Sequence, residues 1–232
     1  MGVSTKSART EATASSAGSA EAGRPATHVS SGMMLKVALT GGIATGKSYV
    51  LDQLRRRGVA CLDADALAHG AMTAETEATK AIAERFGAGM LAADGSVDRA
   101  KLGPVVFADP VARRELEAIV HPAVNRAMAA ALRAFELLGG VPLAVVDVPL
   151  LYETGHEGDF GKVIATVCPP DMQIARLADR GLTADAGRQR LAAQWPAEKK
   201  AARADFVIRT DGTFEETDRQ VDRILANLTS RP

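Results

Sequence analysis

The sequence predicts an α/β fold: a parallel five-stranded sheet flanked by helices, with a helical insertion and a further basic helical segment. Three observations predict it. Five short runs are continuously apolar rather than alternating, which marks strands covered on both faces. Helical patterns lie between these runs, as right-handed βαβ units require. A glycine-rich turn joins the first run to the first helix.

The first strand is expected at Leu35–Thr40 and the first helix at Lys47–Arg57, with Val50, Leu51 and Leu54 on one face. Gly58 ends that helix, and Val59–Leu62 is the second strand. Leu143–Val148 is the third, entered through Gly139, Gly140 and Pro142. Val163–Val167 is the fourth, closed by Pro169 and Pro170, and Phe206–Arg209 is the fifth. A last helix over Phe214–Leu228 carries a stripe of Phe214, Thr217, Val221, Ile224, Leu225 and Leu228, read as core packing.

The span between the second and third strands is too long for one crossover. Residues 66–138 carry helical patterns at Ala66–Met72, Thr76–Phe86, Lys101–Phe107 and Val111–Leu138, with Pro122 expected to interrupt the last. This region reads as a helical insertion beside the sheet. Residues 171–203 form a second helical stretch, dense in arginine and lysine and expected to act as a lid. Residues 34–230 thus read as one domain. Residues 1–33 are rich in Ser, Ala, Thr and Gly and are expected to be disordered, because they bury too little apolar surface to offset ordering entropy.

Composition excludes several classes. The 28 basic and 28 acidic residues cancel, so no global field draws in nucleic acid or acidic membrane. No apolar stretch approaches the ~18 residues of a membrane span. A cytoplasmic protein is expected. Cys61 and Cys168 fall in apolar runs and read as buried, reduced thiols without metal-ligand spacing. Phe86 and Phe107 read as core.

Gly41-Gly42-Ile43-Ala44-Thr45-Gly46-Lys47-Ser48 fits the Walker A pattern, with an apolar strand before it and a helix after it. Glycines let the backbone approach phosphate closely. Loop amides and the helix N-terminus present partial positive charge to the anion. Lys47 reaches the outer phosphates, and the Ser48 hydroxyl is a Mg²⁺ ligand. The sheet is therefore of the P-loop NTPase type. Neither asparagine, Asn125 or Asn227, begins an N-K-x-D guanine-reading motif, so a GTPase is disfavoured. A small-molecule kinase using ATP and Mg²⁺ fits best.

Asp63-Ala64-Asp65 follows the second strand, where ligands sit in open α/β sheets. In an extended backbone both carboxylates share a face, one as proton acceptor and one near Mg²⁺. Either aspartate alone reads equally well as the cap of the next helix. Asp147 ends the third strand as a second Mg²⁺ partner. His69 lies one turn past Asp65 and faces the acceptor or solvent. His121-Pro122 is either support for the acceptor pocket or a helix break. In the basic stretch, Arg176 and Arg180 are assigned to nucleotide phosphates; the other cations read as a solvated face. Gln194 and Trp195 line the lid, with Trp195 equally a packing anchor, and Glu153 reads as a partner for backbone.

Val37-Ala38-Leu39-Thr40-Gly41-Gly42-Ile43, Gly46-Lys47-Ser48 and Asp63-Ala64-Asp65 together resemble the start of the dephospho-CoA kinase family. Arg85-Phe86-Gly87, His121-Pro122, Pro149-Leu150-Leu151-Tyr152-Glu153, Gln194 and Ala204-Asp205-Phe206-Val207-Ile208 extend the resemblance from about Leu35 to Leu228. The resemblance implies transfer of the ATP γ-phosphoryl group to the ribose 3′-hydroxyl of dephospho-CoA. It implies Asp65 as base and Arg176 as a phosphate contact. Residues 42–49, including Tyr49, would bind ATP, and Asp63, Asp65, His69 and His121 would meet the acceptor. A monomer or weak homo-oligomer is expected, with no nucleic-acid or membrane partner. The chain departs from the family at Ala44-Thr45, at Tyr49 where threonine is usual, and at Arg209-Thr210-Asp211-Gly212 where asparagine is common. Two other readings stand beside this one: a kinase for another hydroxyl acceptor, and an ATP-sensing module without a base.

Overall fold

The computed structural model describes residues 34–230 together with Met1; the expectation for residues 1–33 otherwise lies outside the described residues. The strands are β1 (Leu35–Gly41), β2 (Ala60–Asp63), β3 (Leu143–Asp147), β4 (Lys162–Val167) and β5 (Phe206–Arg209). They form one parallel sheet in the order β2-β3-β1-β4-β5. β1 is central, so the loop leaving it opens beside the ends of both β3 and β4.

Successive side chains of a strand point to opposite faces, and both faces are covered. On one face Val37, Leu39, Val145 and Ile164 pack with Val50, Leu51 and Leu54 of α1 (Lys47–Arg56) and Val221 and Ile224 of α9 (Phe214–Thr229). On the other, Ala38, Ala144, Val146 and Val163 pack with Leu132 of α5 (Pro110–Leu138), Leu151 and Phe160. This double coverage is why the strands read as unbroken apolar runs.

The excursion between β2 and β3 holds α2 (Ala64–Ala71), α3 (Glu77–Phe86), α4 (Arg99–Ala108) and α5. It has a core of its own around Ile82, Val97, Leu102 and Val120. Asp63, Thr76, Asp98 and Asp109 open these helices by accepting backbone N–H bonds of the first turn. After β4 come α6 (Pro170–Ala178), α7 (Ala184–Ala192) and α8 (Ala197–Ala201), the last packed on Ala165 and Val167 of β4.

Four expectations require correction. α5 runs its 29 residues through Pro122 without a break. Pro122 lies on the exposed side, and the carbonyl it frees belongs to Ala118, which is exposed, so losing that helix bond does not bury an unpaired group. Phe107 is 86% exposed rather than core. Phe214 is 68% exposed and leaves the α9 stripe to meet Tyr49, with ring centroids 4.7 Å apart. Cys61 is half-buried, although Cys168 is buried and both are free thiols. Burial pushes the Cys61 thiol up to about 11, so it is protonated near neutrality. No helix among the described residues is long and apolar enough to cross a membrane.

Candidate active site

The glycine-rich loop leaves the central strand at Gly41 and enters α1 at Lys47. Gly41 has no room for a side chain: a Cβ there would lie 2.3 Å from Thr166 Oγ1 and 2.7 Å from the Thr166 carbonyl. Gly46 turns the chain into the helix at φ 83°, a left-handed conformation that favours glycine. Ala44 also has positive φ, 58°.

The loop is held from behind by its carbonyls. Thr45 Oγ1 donates to the Gly42 carbonyl at 2.8 Å. Arg176 Nη1 donates to Ala44 at 3.1 Å, and Thr210 Oγ1 donates to Thr45 at 2.8 Å. Lys200 Nζ reaches the Gly41 carbonyl at 3.4 Å. With carbonyls drawn backward, loop amides are left for the front. The first-turn amides of α1 have no intrahelical acceptor, so the same end of the helix favours an anion. Gln194 meets this front edge by accepting the Ile43 N–H at 3.1 Å.

Lys47 lies opposite the end of β3. Its Nζ donates to Asp147 Oδ2 at 3.1 Å and lies 3.0 Å from Oδ1. Burial pushes the Asp147 carboxyl above the ordinary aspartate value; the Lys47 ammonium opposes that shift, and the charges of Asp63 and Asp65 add to it. Asp63 and Asp147 are also paired positions in the β2–β3 register. Ser48 is exposed at the start of α1.

The aspartates of the Asp63-Ala64-Asp65 segment do not share an extended face. β2 ends at Asp63, whose side chain accepts the Ala66 N–H at 3.1 Å, and Asp65 stands in the first turn of α2. The capping alternative therefore holds for Asp63, while Asp65 is exposed and uncommitted to a cap. His69 is exposed one turn on, with Nδ1 2.7 Å from the Asp65 carbonyl. His121 is exposed on α5, and the groove between α2, α3 and α5 is lined instead by Leu67, Gly70, Thr76, Ala123 and Arg126.

Arg176 does not point its whole guanidinium at the phosphate front. Besides Ala44 it donates to Thr210 Oγ1 at 3.2 Å and to the Thr210 carbonyl, bracing the loop against the end of β5. With Arg180, Tyr49, Gly46, Thr213 and Phe214 it lines a cavity of about 370 Å³ beside the loop. The Tyr49 hydroxyl faces α9 and donates to Asp218 at 3.0 Å, so it is not a second phosphate-loop hydroxyl.

Sequence reasoning missed Lys200. Read as a solvated cation, it is 0% exposed, with Nζ 2.8 Å from Glu153 Oε1 and donating to the Pro149 carbonyl at 2.7 Å. The available signal was Glu153, an acidic residue among apolar neighbours just past β3; it accepts the Trp195 N–H, as expected of a backbone partner, and Lys200 as well. Trp195 is a packing anchor: its ring stacks on Tyr152 with 6.1 Å between centroids and lies 3.6 Å below the Lys199 ammonium.

The chain is similar to known proteins in sequence and in fold. The family model described as CoaE, dephospho-CoA kinase, matches residues 35–216. A dephospho-CoA kinase of Anaeromyxobacter dehalogenans is 49% identical over 84% of this chain and 92% of that protein. One from Geobacillus kaustophilus is 43% identical over 83% of this chain and 96% of its own length. A crystal structure from Thermus thermophilus superposes with TM-score 0.73 at 33% identity, covering 85% of this chain and 99% of that one. Dephospho-CoA kinase from Campylobacter jejuni superposes with TM-score 0.65 at 25% identity, covering 85% and 98%. The loop, the paired lysine and aspartate and the helical excursion thus lie within a match spanning most of the chain: it belongs to the dephospho-CoA kinase family.

Proposed function

We propose that this chain transfers the γ-phosphoryl group of ATP to the ribose 3′-hydroxyl of dephospho-CoA, forming coenzyme A, with Asp65 as base. The observation that carries the reading is the Lys47–Asp147 pair beside a loop whose carbonyls are tied back, with the exposed Asp65 two residues past Asp63, the register partner of Asp147. An anionic chain of phosphates fits the amide face, and Lys47 leaves Asp147 to meet the outer phosphates.

Asp65 stands at the start of the helical insertion, so an acceptor held by α2, α3 and α5 presents its hydroxyl to that carboxylate. Asp65 takes the hydroxyl proton as the oxygen attacks the γ-phosphorus and the bond to the β-phosphate oxygen breaks. Asp63 holds the first turn of α2 and with it the aim of Asp65. The cavity at Tyr49, Arg180 and Phe214 takes the adenine side of ATP. The helices over residues 171–203 act as lid, and Gln194, Arg176 and Lys200 are its contacts with the phosphate loop.

The residues present fit Mg²⁺. Ser48 offers an exposed hydroxyl, and Asp147 Oδ1, beside Lys47, makes no hydrogen bond of its own. Hard oxygen donors completed by phosphate oxygens and water suit this ion. No cluster of three or more His, Cys, Asp or Glu among the described residues is arranged to hold a metal ion. When bound, it would neutralise charge on the transferring phosphates.

The test is purified protein with ATP, Mg²⁺ and dephospho-CoA, with CoA read by mass and adenosine and shikimate as competing acceptors. CoA formation is expected. Phosphate on another acceptor would overturn the substrate, and tight ATP binding without any transfer would overturn the kinase.

A further inference from the structure

Lys200 is the largest fully buried side chain among the described residues, and the phosphoryl-transfer chemistry does not use it directly. Three segments meet at its ammonium. Its Nζ donates to the carbonyl of Pro149, two residues past Asp147, and reaches the carbonyl of Gly41, where the phosphate loop begins. The Pro149 carbonyl also accepts Thr40 Oγ1 at 3.3 Å. Glu153 Oε1 takes both the Lys200 ammonium and the Trp195 N–H, and the preceding residue, Gln194, holds the Ile43 amide. One buried cation therefore ties the start of the loop, the exit of β3 and the α7–α8 connection together.

Such a group is poorly explained by stability. Apolar residues of similar volume often serve a buried ion pair's place as well or better. Burial pulls the Lys200 ammonium below the ordinary lysine value; Glu153 opposes this, and the nearby charge of Lys47 adds to it. What an apolar side chain lacks is a donor for the two carbonyls.

We propose that Lys200 is a positioning residue for phosphoryl transfer: its contacts with Gly41 and Pro149 set the phosphate loop against the exit of β3, and so set Lys47 against Asp147. The proposal rests on the kinase reading above. Wild-type CoA formation tests that reading first, and the variants then test Lys200 alone.

The experiment compares wild type, Lys200→Met and Glu153→Gln/Lys200→Met. It measures Tm, KM for ATP, and kcat per nucleotide site counted by ATP calorimetry, so that unfolded molecules do not register. The single variant strands a buried carboxylate and should melt lower; the double variant removes both charges and should recover most of that Tm. The expected result is a kcat per site that stays about 10- to 100-fold below wild type in the double variant, with KM for ATP within about threefold. A smaller loss in the double variant would make Lys200 no more than the counter-charge of Glu153 and overturn the proposal. If neither Lys200 variant yields nucleotide-binding protein, Glu153→Gln alone decides. It keeps the amine on both carbonyls, so a loss above about tenfold overturns the proposal and a smaller one supports it.

Discussion

Lys47 Nζ rests 3.0 Å from Asp147 Oδ1 and 3.1 Å from Oδ2, so the cation proposed to meet the phosphates is held at the end of β3 by a buried carboxylate. The pair keeps each charge from being stranded. It also makes Asp147 the place where proton binding and stability meet.

The folded protein holds the Asp147 proton more tightly than the unfolded chain does, because burial raises this carboxyl. Its stability contribution is therefore fully present below the ordinary aspartate value and is lost as pH rises through the raised folded value. Asp147→Asn lacks that step. In thermal melts without nucleotide, the Tm of the variant relative to wild type should rise as pH goes from about 3 to 7. A difference that falls with pH would show that Lys47 outweighs the burial.

Asp65→Asn should leave ATP affinity within about threefold and lower kcat about 10²- to 10⁴-fold, the range for loss of a general base. Calorimetry with ATP and CoA formation by mass separate the two quantities. Loss of ATP binding in step with kcat would assign Asp65 to the nucleotide instead.

Arg176→Ala removes the brace on Ala44 and Thr210. Two backbone carbonyls lose a charged donor, which costs about 2 kcal/mol. KM for ATP should rise about tenfold, equivalent to ~1.4 kcal/mol of lost binding. Arg176→Lys should recover only part of this, because one ammonium does not span the forked contacts.

Gly41→Ala drives a methyl group into Thr166, with both its hydroxyl and its carbonyl closer than real Cβ contacts allow. Overpacking of this kind costs about 1–3 kcal/mol. Differential scanning calorimetry should show a lower Tm, and ATP binding should weaken with it because the loop leaves β1 at this residue.

The strands were legible because both sheet faces are covered, so no alternation obscured them. The phosphate loop was legible because close approach to phosphate demands glycines in a fixed pattern. Asp63 and Asp65 were found as a pair, but their geometry was not: the strand ends at the first of them, and no periodicity extends over two residues. Lys200 was misread for a similar reason. Its helix, α8, has five residues, too few to display a buried face. Pro122 was misread because proline breaks a helix most where the freed carbonyl is dry, and the sequence does not state that Ala118 is wet.

That unbroken helix has a mechanical consequence. α5 has 29 residues and is about 43 Å long. Its later residues, Met128, Leu132 and Phe135, are rooted against the sheet, while its earlier ones, Leu116, Ile119, Val120 and Val124, build the core of the insertion. It is a cantilever with its softest point at Pro122, where the ladder of hydrogen bonds is interrupted. A bend of about 10° there would carry its tip, twelve residues away, through about 3 Å. A displacement the size of one hydrogen bond at the outer end of the insertion thus needs no unfolding, only a small flexure of one beam.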